Sequence, residues 1–129
     1  MRLIHYLNEA KIGINVRNEK DHKWADLIIT GKKYYETRNS NSLKPYIGKR
    51  VVIIRTGEGK AKGIGEVTIG EPLHITDKAK FDKLYKKHLV PDTSKFQFGK
   101  EKFLYPMIDP QKYDKEIDIT SSGIVSRKI

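Results

Sequence analysis

Residues 24–38 read WADLIITGKKYYETR, and this stretch joins a short amphipathic helix to a charged strand through a glycine. Trp24 and the apolar residues after it have the spacing of one helix face. Asp21 is placed to cap the helix at its N-terminus, and Gly31 to end it in a left-handed conformation. The sequence therefore predicts a helix over residues 21–30 that stops at Gly31.

The residues after the glycine predict a short strand with an unusual charge content. Residues 34–38, YYETR, are rich in β-forming side chains, and strand alternation places Tyr34, Glu36 and Arg38 on one face. Lys33 stands at the entry turn, so a lysine, a glutamate and an arginine converge. Such a trio suits anion or base binding, and it also suits a partly buried ion-pair network that fixes the strand.

Length and composition set the outer bounds. A chain of 129 residues suits one domain with a sizeable core, and we expect a single domain over residues 1–129 with residues 1–11 as an unassigned extension. The absence of cysteine excludes disulfides and thiolate zinc sites. No apolar run reaches transmembrane length and no signal peptide is evident, so we predict a cytoplasmic protein without a membrane partner.

The net charge of +10 is unevenly distributed along the chain. Residues 40–65 and residues 78–102 each carry an excess of five positive charges, whereas the rest of the chain is balanced. Two concentrated basic segments can form one positive face, for which a polyanion is the natural partner. Nucleic acid is therefore the first hypothesis, and a merely solubilising surface is the alternative.

Most of the remaining chain predicts short strands. Residues 12–17 alternate as IGINVR, residues 50–56 form the buried-strand run RVVIIRT, and the glycine-rich residues 57–63 lead into a further strand as a hairpin. A second helix is predicted over residues 77–88, with Pro91 marking its end. Short strands at close spacing, with helices between them, favour a small mixed barrel over a parallel α/β sheet.

The last third of the chain predicts three more strands, which Pro110 and Gly123 separate. They are FLYPMI, KEIDI and GIVSRKI.

These residues together resemble the ASCH domain, a branch of the PUA-like β-barrel superfamily. The resemblance rests on the pattern G-x-K-x-x-E-x-R at residues 31–38, preceded by the helix with Trp24 and Ala25. The runs GKRVVII (48–54) and IGEV (64–67) and the C-terminal LYPMIDPQKYDKEI followed by GIVSRKI support it, so that it covers the chain from about Ile12 onward. It implies an α+β fold, a small mixed PUA-like β-barrel with two or more peripheral helices.

The resemblance also implies a cleft into which Lys33, Glu36 and Arg38 point, suited to nucleic acid or a modified nucleobase. We expect RNA or another single-stranded nucleic acid, with RNA favoured over DNA. Certain small bacterial members of the family hydrolyse the N-acetyl group of N4-acetylcytidine with a lysine, a threonine and a more distant glutamate. The lysine falls on Lys33, but the position of the threonine is occupied by Glu36, and Thr37 is expected to face the other way.

The chemistry of the trio bears on whether it can be catalytic. A lysine acts as a base or nucleophile only when its pKa is lowered, whereas a nearby carboxylate favours its charged form. We therefore expect Glu36 to keep Lys33 protonated, which favours binding over catalysis. If the protein is an enzyme, Lys33 and Glu36 are the candidate catalytic residues of a hydrolase that acts on an acylated cytidine.

Further candidates for base or phosphate binding surround this signature in the sequence. Tyr34 is the preferred stacking residue, since Trp24 lies on the apolar helix face and has core packing as its default role. The first basic segment adds Arg55, Lys60 and Lys62. The four histidines show no metal-ligand spacing, so neither a metal nor a cofactor is expected. A protein-interaction module for an acidic partner is the third hypothesis, and the oligomeric state is left open.

Overall fold

The computed structural model describes residues 12–119 and 126–128 of the chain. The strands in these ranges are β1 (Ile12–Arg17), β2 (Tyr35–Arg38), β3 (Arg50–Thr56), β4 (Lys62–Ile69), β5 (Leu73–Ile75), β6 (Lys102–Asp118) and β7 (Ser126–Lys128). The helices are α1 (Trp24–Ile29), α2 (Lys78–Lys83) and α3 (Tyr85–His88), with one 3-10 turn at Lys44–Tyr46.

The strands form one mixed sheet that curls into a half-barrel, which confirms the α+β barrel expected from the sequence. The order is β2-β6-β4-β3-β1-β7, with β5 also paired to β6, and the β1–β3 pair is parallel. β7 pairs with β1 only along Ile12–Ile14, so residues 15–17 of β1 extend beyond this pairing. There Arg38 of β2 donates from Nη2 to the carbonyl oxygen of Asn15 at 2.9 Å, which brings β2 to the edge of β1.

The core lies inside the curled sheet and is covered by α1. Trp24, Ala25, Ile28 and Ile29 of this helix are buried against the inner face of the sheet. Gly65 of β4 permits the approach, because an added Cβ there would lie 2.9 Å from Cδ1 of Ile29 and 2.5 Å from a backbone oxygen of β6. The helix that leads into the signature strand is thereby fixed to the barrel.

The predicted C-terminal end of α1 agrees with the structure, but its predicted start does not. Gly31 has a φ of +81°, and its N–H donates to the carbonyl oxygen of Ile28, so the left-handed end is confirmed. The predicted start at Asp21 is wrong, because the helix begins at Trp24. The side chain of Asn18 caps it instead, its Oδ1 accepting from the backbone N–H of Ala25 at 2.9 Å.

The predicted second helix is two helices, α2 and α3, separated at Leu84. Asp77 caps α2 by accepting from the N–H of Ala79 at 2.8 Å, and α3 ends at Leu89, which has a φ of +61°, before Pro91 is reached. Within the described residues, no helix has the length and apolar character needed to span a membrane.

The prediction that Pro110 separates two strands is wrong. β6 runs without a break from Lys102 to Asp118, and its register with β4 shifts where the strand passes Asp109 and Pro110. Asp109 takes a φ of +52° there, so the proline lies at a bulge in the strand rather than at its end. The position of Gly123 lies outside the described residues.

Asn18 offers a test of how the first helix is attached. It is 1% exposed, and its Nδ2 donates to Asp26 at 2.6 Å and to Glu58 at 2.7 Å, in addition to the cap on Ala25. We predict that Asn18→Ala lowers the free energy of unfolding by about 2–3 kcal/mol, because a cap and two further hydrogen bonds are lost together. Urea denaturation measures it, with the exposed Asn41→Ala as the control. A loss below about 0.5 kcal/mol, the range of ordinary surface substitutions, would contradict this role.

Candidate functional site

A cleft opens where the far end of β1 faces β2, and it has two adjoining parts. The inner cavity, of about 50 Å³, is lined by Val16, Arg17, Trp24, Lys33, Glu36, Thr37, Val90 and Phe96. The outer cavity, of about 300 Å³, is lined by Asn15, Arg17, Glu36, Thr37, Arg38, Asn39, Phe96 and Lys102. All three charged residues of the signature therefore border the cleft.

Lys33 is the most deeply buried charged residue of the cleft, at 2% exposure. Its Nζ donates to the carbonyl oxygen of His88 at 2.5 Å and lies 5.2 Å from the ring centre of Trp24. Burial lowers the pKa of Lys33 to about 8, against the opposing attraction of Glu36 and with a further lowering by Lys102. Desolvation therefore outweighs the carboxylate, although a pKa of about 8 still leaves the ammonium as the main form near neutral pH, as expected for a lysine beside Glu36.

Glu36 and Arg38 form the ion pair of the cleft. Oε2 of Glu36 accepts from Nε of Arg38 at 3.0 Å and lies 2.9 Å from Nη2. Nη2 of Arg38 donates to the carbonyl oxygen of Asn15 in β1. Arg38 thus has the contacts expected of a structural ion-pair network, which is the alternative to a binding role for the signature residues. Within the described residues Oε1 of Glu36 accepts no hydrogen bond, so this buried carboxylate has an oxygen left for a donor from a ligand.

The turn that contacts Lys33 is held by the side chain of His88. This imidazole is fully buried, its Nδ1 accepts from the N–H of Val90 at 2.9 Å, and its Nε2 lies 2.7 Å from the carbonyl oxygen of Phe81. These partners select the neutral tautomer with the proton on Nε2, and burial lowers the pKa of His88 in agreement. These hydrogen bonds of the His88 side chain therefore fix the position of its backbone carbonyl oxygen, which accepts from Lys33.

The outer cavity adds positive and aromatic side chains to this carboxylate. Arg17 is exposed and forms no ion pair within the described residues, and Phe96 lines both cavities while its ring packs edge-on against Trp24 at 6.4 Å. Lys102, at the start of β6, is 3% exposed, and its Nζ donates to Oδ1 of Asn39 at 2.7 Å. Burial lowers the pKa of Lys102, and the nearby Glu36 opposes the shift.

An open groove continues from the outer cavity, and we call it the lysine groove. It measures about 610 Å³ and shares Asn39 and Lys102 with the outer cavity. Its other lining residues belong to the segment that precedes β6: Lys95, Gln97, Phe98, Gly99, Lys100 and Glu101.

Not every residue predicted to bind a base lies in the cleft. Trp24 does, at 4% exposure, and its Nε1 donates to Glu19 at 2.9 Å. Tyr34 does not line either cavity. It precedes β2 and is exposed, whereas Glu36 is buried. Its ring contacts that of Tyr35 at 4.9 Å. A stacking role for Tyr34 stays a prediction.

The candidates from the first basic segment also lie apart from the lining of the cleft. Arg55 pairs with Glu116 at 2.6 Å and with Asp26 at 3.6 Å, and Lys62 pairs with Asp118. Lys60 is exposed on the hairpin between β3 and β4. Their proposed phosphate contacts stay predictions.

Several residues of the cleft were missed by sequence reasoning. Arg17 ends β1, whereas Val90 and Phe96 belong to the segment between α3 and β6, and nothing in a linear pattern joins these two parts of the chain. Lys102 could have been found, because strand alternation places it on the same face as the buried Leu104. Thr37, expected to face away, borders both cavities because β2 passes along the rim of the cleft.

Across residues 12–119 and 126–128, no group of three or more histidine, aspartate or glutamate side chains is arranged to hold a metal ion.

Comparison with solved structures identifies the fold. The crystal structure of ASCH from Zymomonas mobilis superposes with a TM-score of 0.71 at 16% identity, covering 94% of this chain and 88% of that one. A serine-to-alanine variant of the same protein gives a TM-score of 0.71 over 94% of this chain and 89% of that one, also at 16% identity. A tyrosine-to-phenylalanine variant gives 0.67 at 18% identity, over 84% and 75%.

These similarities confirm the fold implied by the sequence resemblance. The chain has the architecture of an ASCH domain, and at these identities the likeness extends to the fold alone. No protein-family model and no curated protein matches the sequence.

The lowered pKa of Lys33 can be measured directly. We predict that, in protein labelled with ¹³C at lysine Cε, one resonance titrates with a pKa of about 8, whereas an ordinary lysine has a pKa of about 10.4. Its absence from Lys33→Met assigns it. If the resonance lost in this variant titrates above about 10, then the ammonium is well solvated and the buried geometry is wrong.

Proposed function

We propose that this protein binds single-stranded nucleic acid, RNA in preference to DNA, and holds one base in the cleft. The observation that carries this proposal is a cleft that combines an aromatic wall, a carboxylate oxygen without a partner among the described residues, and unpaired cations. The outer cavity, at about 300 Å³, is at the lower end of the range for small-molecule sites.

The side chains of the cleft suit the separate parts of a nucleotide. Phe96 presents an aromatic surface on which a base can stack. Oε1 of Glu36 can accept a hydrogen bond from an exocyclic amino group, which would select a cytosine, adenine or guanine edge over uracil. Arg17 stands at the rim, where it can contact a phosphate or the sugar edge.

The depth of Lys33 limits its part in binding. Its ammonium is already bonded to the carbonyl oxygen of His88, and it faces the inner cavity rather than solvent. We therefore assign it to the far edge of a bound base, where it can donate to a ring nitrogen or a carbonyl oxygen. A deep lysine that donates and a glutamate that accepts would together define one orientation of the base.

A second function is favoured by one observation, the lowered pKa of Lys33. With a pKa of about 8, an appreciable fraction of this lysine is the neutral amine near neutral pH, as a general base requires. In a hydrolase reaction, Lys33 would accept a proton from water as the water oxygen attacks the acetyl carbonyl of N4-acetylcytidine. Cleavage of the carbon–nitrogen bond would then release acetate and, after protonation of the nitrogen, cytidine.

Nucleic-acid binding can be tested by replacing Arg17, the cation at the rim of the cleft. We predict that a single-stranded RNA oligonucleotide binds the wild-type protein with an affinity that falls as salt rises, because phosphate binding releases counterions. Arg17→Ala should weaken binding about tenfold, the typical effect of removing one such contact. Fluorescence anisotropy at several salt concentrations measures both effects.

Lys20→Ala is the matched control for this measurement, since Lys20 is exposed near Arg17 but does not line the cleft. An affinity independent of salt would overturn the proposal, and so would an equal effect of the two substitutions. A high ratio of absorbance at 260 nm to that at 280 nm after purification would be early support.

The hydrolase alternative makes its own prediction. Incubation with N4-acetylcytidine should release cytidine at a rate that rises with pH through about 8, because the neutral amine of Lys33 is the active form. Lys33→Met should abolish the reaction, and chromatography of the nucleosides measures it. If wild-type protein produces no cytidine under conditions in which it binds the oligonucleotide, the alternative is excluded and the binding function stands.

A further inference from the structure

Lys102 carries a buried charge that has no counter-ion among the described residues. The side chain is 3% exposed, and its Nζ makes one hydrogen bond, to the neutral amide oxygen of Asn39 at 2.7 Å. No carboxylate in the described part of the chain forms an ion pair with it, although Glu36 is near enough to favour its charged form. An ammonium has three donors, so two remain for another partner.

Such an arrangement is unfavourable for the protein by itself. Removing an ammonium from water costs several kcal/mol unless ion pairs or hydrogen bonds compensate. The buried carboxylate of Glu66 is better compensated: at 1% exposure, it pairs with Arg50 and accepts from the hydroxyl of Tyr113 at 2.7 Å. The poorly compensated Lys102 lies where the outer cavity joins the lysine groove.

We propose that Lys102 and Asn39 form a phosphate site, and that the ligand of the cleft is an oligonucleotide of at least two nucleotides. This inference rests on the proposed function, because the base in the outer cavity places the next phosphate at the junction. A phosphodiester supplies the missing negative charge and accepts from Nζ of Lys102 and Nδ2 of Asn39. The chain of the nucleic acid then continues along the lysine groove.

The lining of the groove agrees with a ligand that carries phosphates. Lys100 is exposed and forms no ion pair within the described residues, and Lys95 pairs at 3.4 Å with Glu19. The acidic residue of the groove, Glu101, already contacts Nε2 of His74 at 2.6 Å. Phe98 provides an aromatic surface beside these cations, which is the combination that single-stranded nucleic acids bind.

The site is tested by comparing three probes of increasing length. We would measure the affinities of cytidine, the dinucleotide CpC and a single-stranded oligocytidine for the wild-type protein and for Lys102→Met. We expect CpC and the oligonucleotide to bind Lys102→Met about tenfold more weakly, and we expect a smaller loss for cytidine, which lacks the phosphate. For the oligonucleotide, the slope of log affinity against log salt should become less steep by about 0.7, the value for one phosphate contact.

A second variant keeps the test valid if Lys102→Met does not fold. Asn39→Asp places a carboxylate at the same 2.7 Å contact, and Asn39 is exposed, so the fold should tolerate it. The new carboxylate would neutralise Lys102 and repel a phosphate, so we expect the same selective loss for CpC and the oligonucleotide. Lys115→Met, an exposed lysine that does not line the cleft or groove, is the control.

The outcomes separate the two proposals. The inference is overturned if CpC binds wild-type protein and Asn39→Asp equally well, while the proposed function stands. It is also overturned if Lys115→Met weakens binding as much as the two site variants do, since general charge would then explain the effect. If neither cytidine, CpC nor the oligonucleotide binds the wild-type protein, the proposed function itself fails and the inference fails with it.

Discussion

The contact between Nζ of Lys33 and the carbonyl oxygen of His88 is the interaction on which the geometry of the cleft depends. It joins the entry of β2 to the end of α3, and it holds a charged group where little water reaches it. The backbone is arranged around this contact, with the N–H of Lys33 bonded to Leu27 and that of Tyr34 to Lys87. The elements on either side of the signature therefore position one side chain.

Burial of positive charge is the common feature of the cleft. Lys33 and Lys102 are both almost fully buried, both have pKa values lowered by desolvation, and both are opposed in this by the same carboxylate, Glu36. That carboxylate is itself bonded to Arg38. A surface built only for solubility would leave lysines in water, and these buried charges are therefore the ground on which we propose a ligand site.

The sequence predicted the fold well where local chemistry decides the structure, as at Gly31, where a left-handed helix end is required. It failed where tertiary contacts decide. Asn18 replaced Asp21 as the helix cap because the end of β1 reaches Ala25, and β6 continued past Pro110 because a bulge accommodates the proline. In the site, the sequence placed Glu36 close to Lys33 and indicated that the carboxylate favours the charged lysine, but it could not show that desolvation lowers the pKa of Lys33, since burial depends on packing that no linear pattern shows.

The most direct test of the account is the map of amide chemical-shift changes when single-stranded RNA is added to ¹⁵N-labelled protein. The account predicts that the largest changes lie along residues 15–17, 36–39 and 95–102, which meet only in the folded chain. Small changes are expected in the hairpin over residues 57–62, although it carries two lysines. Changes centred on the hairpin, with the three cleft segments unaffected, would contradict the account.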